Sequence, residues 1–177
     1  MTSIPSLDAL LLQRNFGLVL LAGSERAALR AVLWDAVSEA CESLYFIGPL
    51  AEQPVPRGPA HPCLLERPLE ERVNAVRSAL RSDAHGIQTI GDASADLLLL
   101  LAQAALAGAL CVAEVDAPGH EGALAALLEA IPERQGAAST LLAIVEGPAD
   151  APQVWFPSEA ARQAISAGAP AWAVLVA

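Results

Sequence analysis

Apolar residues follow two alternating patterns along the chain, short continuous runs and longer stretches at helical spacing. The run over residues 17–22, GLVLLA, is continuous and predicts a strand buried on both faces of a parallel sheet. Between Glu25 and about Ser43, apolar residues recur every three or four positions and predict a helix. Strand, short loop and helix together form the first half of a βαβ unit.

The same alternation continues through the rest of the sequence. A short amphipathic helix over residues 7–12 precedes the first strand, and the later elements follow in turn. We predict strands over 44–47, 87–90, 110–115, 140–145, 153–156 and 172–176, and helices over 69–81, 96–107, 122–130 and 158–167. In the 69–81 helix we expect apolar residues inward and arginines outward. The pattern indicates an α/β fold with a mostly parallel sheet covered by helices on both faces.

The length of 177 residues fits one domain, and we expect a single unit over residues 1–177. Residues 49–68 carry six prolines and predict an irregular connection, with a brief strand at 63–65. Hydrophobic residues make up 54% of the chain and charged residues only 17%. This surplus of apolar residues favours a protein partner or self-association.

The charge balance argues against a nucleic-acid ligand. Twenty acidic residues and ten arginines, with no lysine, give a formal charge of −10, which repels a phosphate backbone. The three cysteines are widely separated, and His61 with Cys63 supplies too few ligands for structural zinc, so we expect no disulfide framework and no metal. The apolar run over 97–112 is shorter than the ~20 residues of a membrane span, and residues 1–17 have no basic segment before their apolar stretch. A reducing cytoplasm and no membrane span are therefore expected.

The loop after the first strand resembles a phosphate-binding loop that has lost its chemistry. The pattern G-x-x-x-x-G-K-[ST] uses glycines to aim N–H groups at phosphates, a lysine to neutralise them and a hydroxyl to hold magnesium. Gly23 is kept, while Ala28, Leu29 and Arg30 occupy the places of the second glycine, the lysine and the hydroxyl. Glu25 adds negative charge where phosphates would sit.

Several further segments, taken in order, resemble the motor domain of the type II secretion and type IV pilus ATPases. The matching stretches are GLVLLAG at 17–23, Leu33-Trp34, FIGPLAE at 46–52, ALRSD at 79–83, LAQAALAGA at 101–109, 122–129 and 138–146. The family's acidic pair falls on Ile47-Gly48, its Walker B G-E on Ile90-Gly91 or, with a one-residue slip, on Gly91-Asp92. Its histidine motif falls on Val115-Asp116-Ala117-Pro118.

This resemblance implies a RecA-like three-layer sandwich whose scaffold is retained and whose catalytic groups are lost. Phosphoryl transfer depends on positioning and charge neutralisation, so these losses predict a protein that is not an enzyme, with no catalytic residues and no cofactor. The vestigial nucleotide pocket implied by the resemblance consists of Gly23, Ser24, Glu25, Arg26, Ala28, Leu29, Arg30, Gly48, Gly91, Asp92 and Asp116. We expect Arg26 and Arg30 to be solvated residues of the first helical turns rather than phosphate ligands.

Other polar residues give weaker signals. Asp92 with Asp96 and Glu114 with Asp116 are carboxylate pairs near strand ends, although Asp92, Ser94 and Asp96 are also placed to cap the following helix. His85 and His120 stand alone in predicted loops, without the elbow of a hydrolase.

Three functions remain open from the sequence. The first is a catalytically inactive ATPase-like protein that serves as a binding or regulatory subunit of a type IV pilus or type II secretion system, in contact with its motor or platform component. The second is a silent RecA-like accessory protein in DNA-damage tolerance. The third is a residual nucleotide-binding protein that uses Arg26 or Arg30.

Overall fold

The computed structural model describes residues 5–49, 52, 63–66, 68 and 71–176. Helices and strands alternate along most of this length. In chain order they are α1 (Pro5–Gln13), β1 (Gly17–Leu21), α2 (Arg26–Ala40), β2 (Leu44–Gly48), β3 (Cys63–Glu66), α3 (Arg72–Arg81), β4 (Gly86–Asp92), α4 (Ala95–Leu106), β5 (Leu110–Glu114), α5 (Gly119–Ala130), α6 (Arg134–Thr140), β6 (Leu141–Glu146), β7 (Gln153–Trp155), α7 (Glu159–Ser166) and α8 (Ala171–Leu175).

The strands form one seven-stranded sheet in the order β3-β2-β4-β5-β1-β6-β7. All neighbouring pairs are parallel except β6 and β7, which run antiparallel at one edge. Strands β1 and β5 are buried along their full length, as expected for central strands of a sheet covered on both faces. The predicted α/β class and mostly parallel sheet are therefore confirmed.

Helices cover the two faces of the sheet unequally. Helices α1 and α2 pack on one face, where Leu11, Leu33 and Val19 share a core. Trp34 of α2 meets Phe46 of β2 there edge to face, with ring centroids 5.2 Å apart. Helices α3 to α8 cover the other face with a larger core. The result is a three-layer sandwich.

Four elements differ from the sequence predictions by three residues or more, and the first is α2, which ends at Ala40 rather than near Ser43. The predicted strand over 172–176 is wrong, because this segment is helix α8. Ala171 and Val174 are buried three residues apart while Trp172 and Val176 are exposed, which is a helical and not an alternating pattern. Helix α6 was not predicted; it ends at Thr140, directly before β6 begins at Leu141. Helix α5 begins at Gly119, three residues before the predicted start.

The proline-rich connection lies mostly outside the described residues. Its brief strand is confirmed and runs over Cys63–Glu66, paired in parallel with β2 at the edge of the sheet. Helix α3 begins at Arg72; the predicted start at residue 69 is outside the described part of the chain. Arg72 itself is buried, so the prediction that the arginines of this helix all face outward is wrong.

Candidate functional site

The candidate site lies at the carboxyl ends of the central strands. Strand β1 leads into α2 on one face of the sheet, and its neighbour β5 leads into α5 on the opposite face. Helices that leave adjacent strands in opposite directions open a crevice at this edge, which is where open α/β sheets bind ligands. The loop at 22–25, the end of β4 and the turn after β5 all meet there.

Arg26, the first residue of α2, reaches across this crevice. Its Nη2 lies 2.8 Å from Oδ1 of Asp92 after β4, and its Nη1 lies 3.2 Å from Oδ1 of Asp116 after β5. Nη1 also donates to the carbonyl oxygen of Gly23 at 2.9 Å and to that of Val115 at 3.3 Å. One guanidinium thus joins the ends of β1, β4 and β5.

Arg30, one helical turn further along α2, is buried and paired. Its Nη1 donates to Oε1 of Glu114 at the end of β5, and both side chains are below 10% exposed. Its Nη2 lies 3.3 Å from Oε2 of Glu52. The other oxygen of Glu114 accepts a hydrogen bond from the N–H of Gly91 at 3.0 Å. Glu114 therefore links α2 to the turn that ends β4.

The expectation that Arg26 and Arg30 are solvated is wrong. The side chain of Arg26 is 20% exposed and that of Arg30 is 9% exposed. Partial or full burial of each guanidinium has a desolvation cost, and opposite charges at hydrogen-bond distance offset part of it. Asp116 lies 90 residues from Arg26, and Glu114 lies 84 residues from Arg30, so sequence spacing gave no signal for these two pairings.

Arg72 holds the end of β4 from the other side and was missed as a site residue. Its Nη1 donates to the carbonyl oxygens of Ile90 and Gly91 at 2.5 and 2.6 Å, and its Nη2 donates to that of Asp92 at 2.6 Å. Burial lowers the pKa of Arg72, and the nearby charges of Asp92 and Glu114 oppose that shift. The guanidinium fixes the turn in which Gly91 has a φ of +74°.

The loop that resembles a phosphate-binding loop is tied to its surroundings by its own atoms. Gly23 has a φ of +83°, which favours glycine, and its N–H donates to the carbonyl oxygen of Ala117 at 3.1 Å. Glu25 turns toward the loop before β7, where its Oε2 accepts from the N–H of Ala149 at 3.2 Å. Ser24 is exposed, and no side chain caps the start of α2.

The positions aligned with the second glycine and the lysine lie on different sides of α2. Ala28 is exposed, whereas Leu29 is fully buried in the core between α2 and the sheet. A side chain at position 29 points into that core, so the aligned lysine position does not face the crevice. Gly91, Asp92 and Asp116 do lie at the crevice with Arg26, as the sequence interpretation grouped them.

Gly48 sits where β2 and β4 approach closely. A Cβ at this position would lie 2.6 Å from Cβ and 2.7 Å from Cδ1 of Ile90. Ile90 therefore fills the space that a side chain at position 48 would need. A carboxylate at position 48 would not fit beside Ile90 without a shift of the strands.

The remaining candidate residues play structural parts. Ser94 caps α4 by accepting from the N–H of Leu97 at 3.3 Å, which confirms its predicted role. The prediction that His120 lies in a loop is wrong. His120 is the second residue of α5, and its Nδ1 lies 3.3 Å from Oε1 of Glu146. His85 lies far from both, with Nδ1 3.7 Å from Oε2 of Glu42.

The described residues offer no obvious place for a metal ion. Across residues 5–49, 52, 63–66, 68 and 71–176, no three His, Cys, Asp or Glu side chains converge as metal ligands. Asp92, Glu114 and Asp116 instead face guanidinium groups. Among the helices that the structure describes, none combines the length and hydropathy that spanning a bilayer requires.

Comparisons with known proteins bear on the fold. No protein-family model matches the sequence, and no curated protein matches it significantly. The pilus retraction motor PilT, solved with bound ADP, superposes with a TM-score of 0.78 at 16% identity. The ATPase DotB of Legionella pneumophila gives 0.70 at 12%, and the VirB11 ATPase of the Brucella suis type IV secretion system, solved with sulphate, gives 0.58 at 17%.

These matches cover most of this chain but only part of each neighbour. They span 94%, 98% and 84% of this chain and 55%, 54% and 51% of PilT, DotB and VirB11, respectively. The chain thus spans about half the length of the solved proteins that it matches. At these identities the likeness is one of fold: the chain has the RecA-like α/β fold seen in pilus and secretion ATPase structures.

Proposed function

We propose that this chain is a catalytically inactive ATPase-like protein, acting through protein contacts as a binding or regulatory subunit of a type IV pilus or type II secretion system in the cytoplasm. Its partner would be a motor or platform component of that system. The observation that carries the proposal is the pairing of Arg26 and Arg30 with Asp92, Asp116 and Glu114 across the crevice.

This pairing supports loss of nucleotide chemistry because it neutralises groups of both signs. A phosphate needs cations that are free to meet it, and here both arginines nearest the loop already meet carboxylates. Magnesium needs carboxylate or hydroxyl oxygens, and here Asp92 and Glu114 face guanidinium groups while Arg30 stands at the aligned hydroxyl position.

The ion pairs also substitute for the mechanical role of a ligand. A bound nucleotide joins the loop after the first strand to the ends of its neighbours and thereby stabilises the folded state. Arg26 makes the equivalent connection with side-chain and carbonyl contacts to Gly23, Asp92 and Asp116. The fold can then be retained for its surface without a ligand in the crevice.

The competing function that uses the same residues is residual nucleotide binding through Arg26 or Arg30. It requires the ion pairs to open and the arginines to turn toward phosphates. Breaking two charge-assisted contacts of Arg26 opposes this rearrangement. The contacts therefore favour the inactive protein over the nucleotide-binding one.

The test is nucleotide titration of the purified chain with magnesium present. We expect no shift in melting temperature with ATP or ADP, and no phosphate release above a protein-free blank. The double variant R26Q/R30Q should behave identically toward nucleotide. Saturable ATP binding that the double variant loses would establish the residual nucleotide-binding function instead, and hydrolysis would overturn the proposal.

A second experiment tests the proposed setting. Tagged protein recovered from its native host should bring with it pilus or secretion components, identified by mass spectrometry. A bait that carries R77Q, a substitution of the exposed Arg77 of α3, should recover the same components. This control shows that the capture does not depend on the surface charge of the bait in general. Recovery of DNA-repair proteins without pilus or secretion components would favour the accessory role in DNA-damage tolerance.

A further inference from the structure

Two arginines converge at the opposite, amino-terminal edge of the sheet, at the carbonyl end of α6. Arg14, just after α1, donates from Nη2 to the carbonyl oxygen of Ser139 at 3.1 Å. Arg162 of α7 donates from Nη1 to the carbonyl oxygen of Ala138, the residue before Ser139. The last carbonyls of α6 thereby bring together two groups of like charge.

The partial negative charge of a helix end compensates such a pair only in part. A helix terminus carries about half an elementary charge, whereas the two guanidinium groups carry two. Among the described side chains, neither Arg14 nor Arg162 lies within ion-pair distance of a carboxylate. Glu159 is near enough to act on Arg162, but its Oε1 accepts instead from Nε2 of Gln163 at 3.3 Å.

Both arginines are also partly removed from water. Nε of Arg14 is buried and no acceptor among the described residues reaches it. Burial lowers the pKa of Arg162, the charge of Arg14 lowers it further, and Glu159 opposes the shift. An approaching carboxylate would offset the mutual repulsion of this pair and compensate part of the cost of its desolvation.

An aromatic side chain adjoins the basic pair. The guanidinium carbon of Arg14 lies 4.6 Å from the centroid of the Phe16 ring, and Phe16 is 41% exposed. Stacking on the ring restricts the guanidinium and orients its free N–H groups. Arginine and aromatic residues, phenylalanine included, are enriched at protein interfaces relative to the rest of the surface.

We infer that Arg14, Arg162 and Phe16 form a docking site for an acidic segment of a partner protein. Carboxylates of that segment would accept paired hydrogen bonds from the two guanidinium groups, while an apolar side chain beside them covers Phe16. The inference rests on the proposed function only in taking the partner to be a protein. The formal charge of the whole chain is −10, so an acidic segment needs local positive charge to approach, and this basic pair supplies it.

The test uses a fluorescein-labelled peptide of glutamates interspersed with leucines, and the same peptide with glutamine in place of glutamate. We expect saturable binding of the glutamate peptide by fluorescence anisotropy, weakened by added salt, and no binding of the glutamine peptide. R14Q and R162Q should each weaken binding about tenfold, the loss expected for charge-assisted hydrogen bonds. R77Q, which removes an exposed arginine from α3, should bind within about twofold of the unchanged protein.

Folding of the variants is checked by thermal melts, and R14K keeps the charge if R14Q does not fold. R14K should bind more weakly than the unchanged protein, because lysine cannot form the paired contacts of a guanidinium. The inference is overturned if the glutamate peptide does not bind, if the glutamine peptide binds equally, or if R77Q loses as much affinity as R14Q. Concentration-dependent dimers that R14Q abolishes in sedimentation would show that a second copy, not an acidic partner segment, occupies the site.

This test is independent of the nucleotide experiments. Peptide binding is measured without ATP, so hydrolysis of ATP would overturn the proposed function and leave the peptide result standing. Conversely, a failure of the peptide to bind leaves the ion-paired crevice and its nucleotide test unchanged.

Discussion

The two edges of the sheet hold arginines in opposite electrical settings. At the carboxyl edge, Arg26 and Arg30 meet carboxylates, and Arg72 meets three carbonyl oxygens beside two acidic residues. At the amino edge, the hydrogen bonds that Arg14 and Arg162 make with described residues go to carbonyl oxygens. Among the described residues, the two α2 arginines of the carboxyl edge are paired with carboxylates, whereas Arg14 and Arg162 form no ion pair.

This difference predicts that one edge contributes mainly to the stability of the fold and the other mainly to binding. Buried ion pairs are costly to break because each leaves an uncompensated charge, so the carboxyl edge should dominate stability. Partly exposed arginines on carbonyls are cheap to remove, so the amino edge should contribute to binding rather than to folding. The comparison can be tested by substitutions at the two edges, taken below from the largest expected effect to the smallest.

The largest effect is expected at the buried pair of Glu114 and Arg30. E114Q removes the charge that faces Arg30 and should lower the free energy of unfolding by about 3 kcal/mol or more, measured by urea denaturation. The double variant R30M/E114L removes both charges and should recover most of this loss, because well-packed apolar residues can replace a buried ion pair. A double variant that is less stable than E114Q would show that Glu114 acts mainly through the N–H of Gly91.

Arg72 is expected to rank second. R72M removes the donors of three carbonyl oxygens at the end of β4, and unmet buried hydrogen-bonding groups predict a loss of about 2–3 kcal/mol. The matched control is R77M on the same helix, where the side chain is exposed and its Nη1 donates to Oδ1 of Asn74 at 3.3 Å. R77M should change the unfolding free energy by less than about 0.5 kcal/mol. Equal losses of unfolding free energy in both variants would show that Arg72 stabilises the carboxyl edge no more than an exposed arginine does.

The close packing of Gly48 against Ile90 at the carboxyl edge is tested by adding a methyl group at position 48. G48A places a Cβ 2.6 Å from that of Ile90 and should cost about 1–3 kcal/mol, the usual cost of overpacking. The added substitution I90A makes room for the new methyl group. The double variant should therefore lose less than the sum of the two single variants, which a double-mutant cycle measures. Strict additivity would mean that Gly48 is kept for its backbone rather than for this close approach.

The sequence predicted the sheet better than the side-chain contacts at its edges. Continuous apolar runs identified β1 and β5 because both strands are buried on two faces. The prediction for residues 172–176 was wrong because this five-residue apolar segment is too short for periodicity to distinguish a strand from a helix. The packing of Ala171 and Val174 against the core favours a helix in that segment.

The convergence of the candidate residues was predictable, but their pairing was not. The resemblance to the ATPase motors grouped Asp92 and Asp116 with the loop that follows β1, and the carboxyl ends of parallel strands do meet at one edge. The reach of Arg26 to both depends on its rotamer and on the turn at Gly91, which no spacing encodes. The burial of Arg72 was missed because helical periodicity describes the faces of a helix and not what lies beside its first turn.

The smallest effects come from the partly exposed arginines, and they distinguish the two edges most directly. R26Q removes contacts to two carboxylates that are themselves at least half exposed, so it should cost about 0.5–1 kcal/mol at low ionic strength. Salt at about 0.5 M should reduce this difference, because it screens charges near the surface.

R14Q removes a neutral acceptor contact and repulsion toward Arg162 together, so its effect should stay below about 0.5 kcal/mol. Added salt should stabilise the unchanged protein slightly relative to R14Q, since it screens the repulsion that R14Q has already removed. Opposite signs of the salt effect for the two variants, measured by urea denaturation side by side, would show that Arg26 meets compensating charge at one edge and that Arg14 lacks it at the other. The same sign for both would mean that carbonyl oxygens compensate Arg14 as fully as carboxylates compensate Arg26, and the basic pair would then have no electrostatic reason to bind an acidic segment.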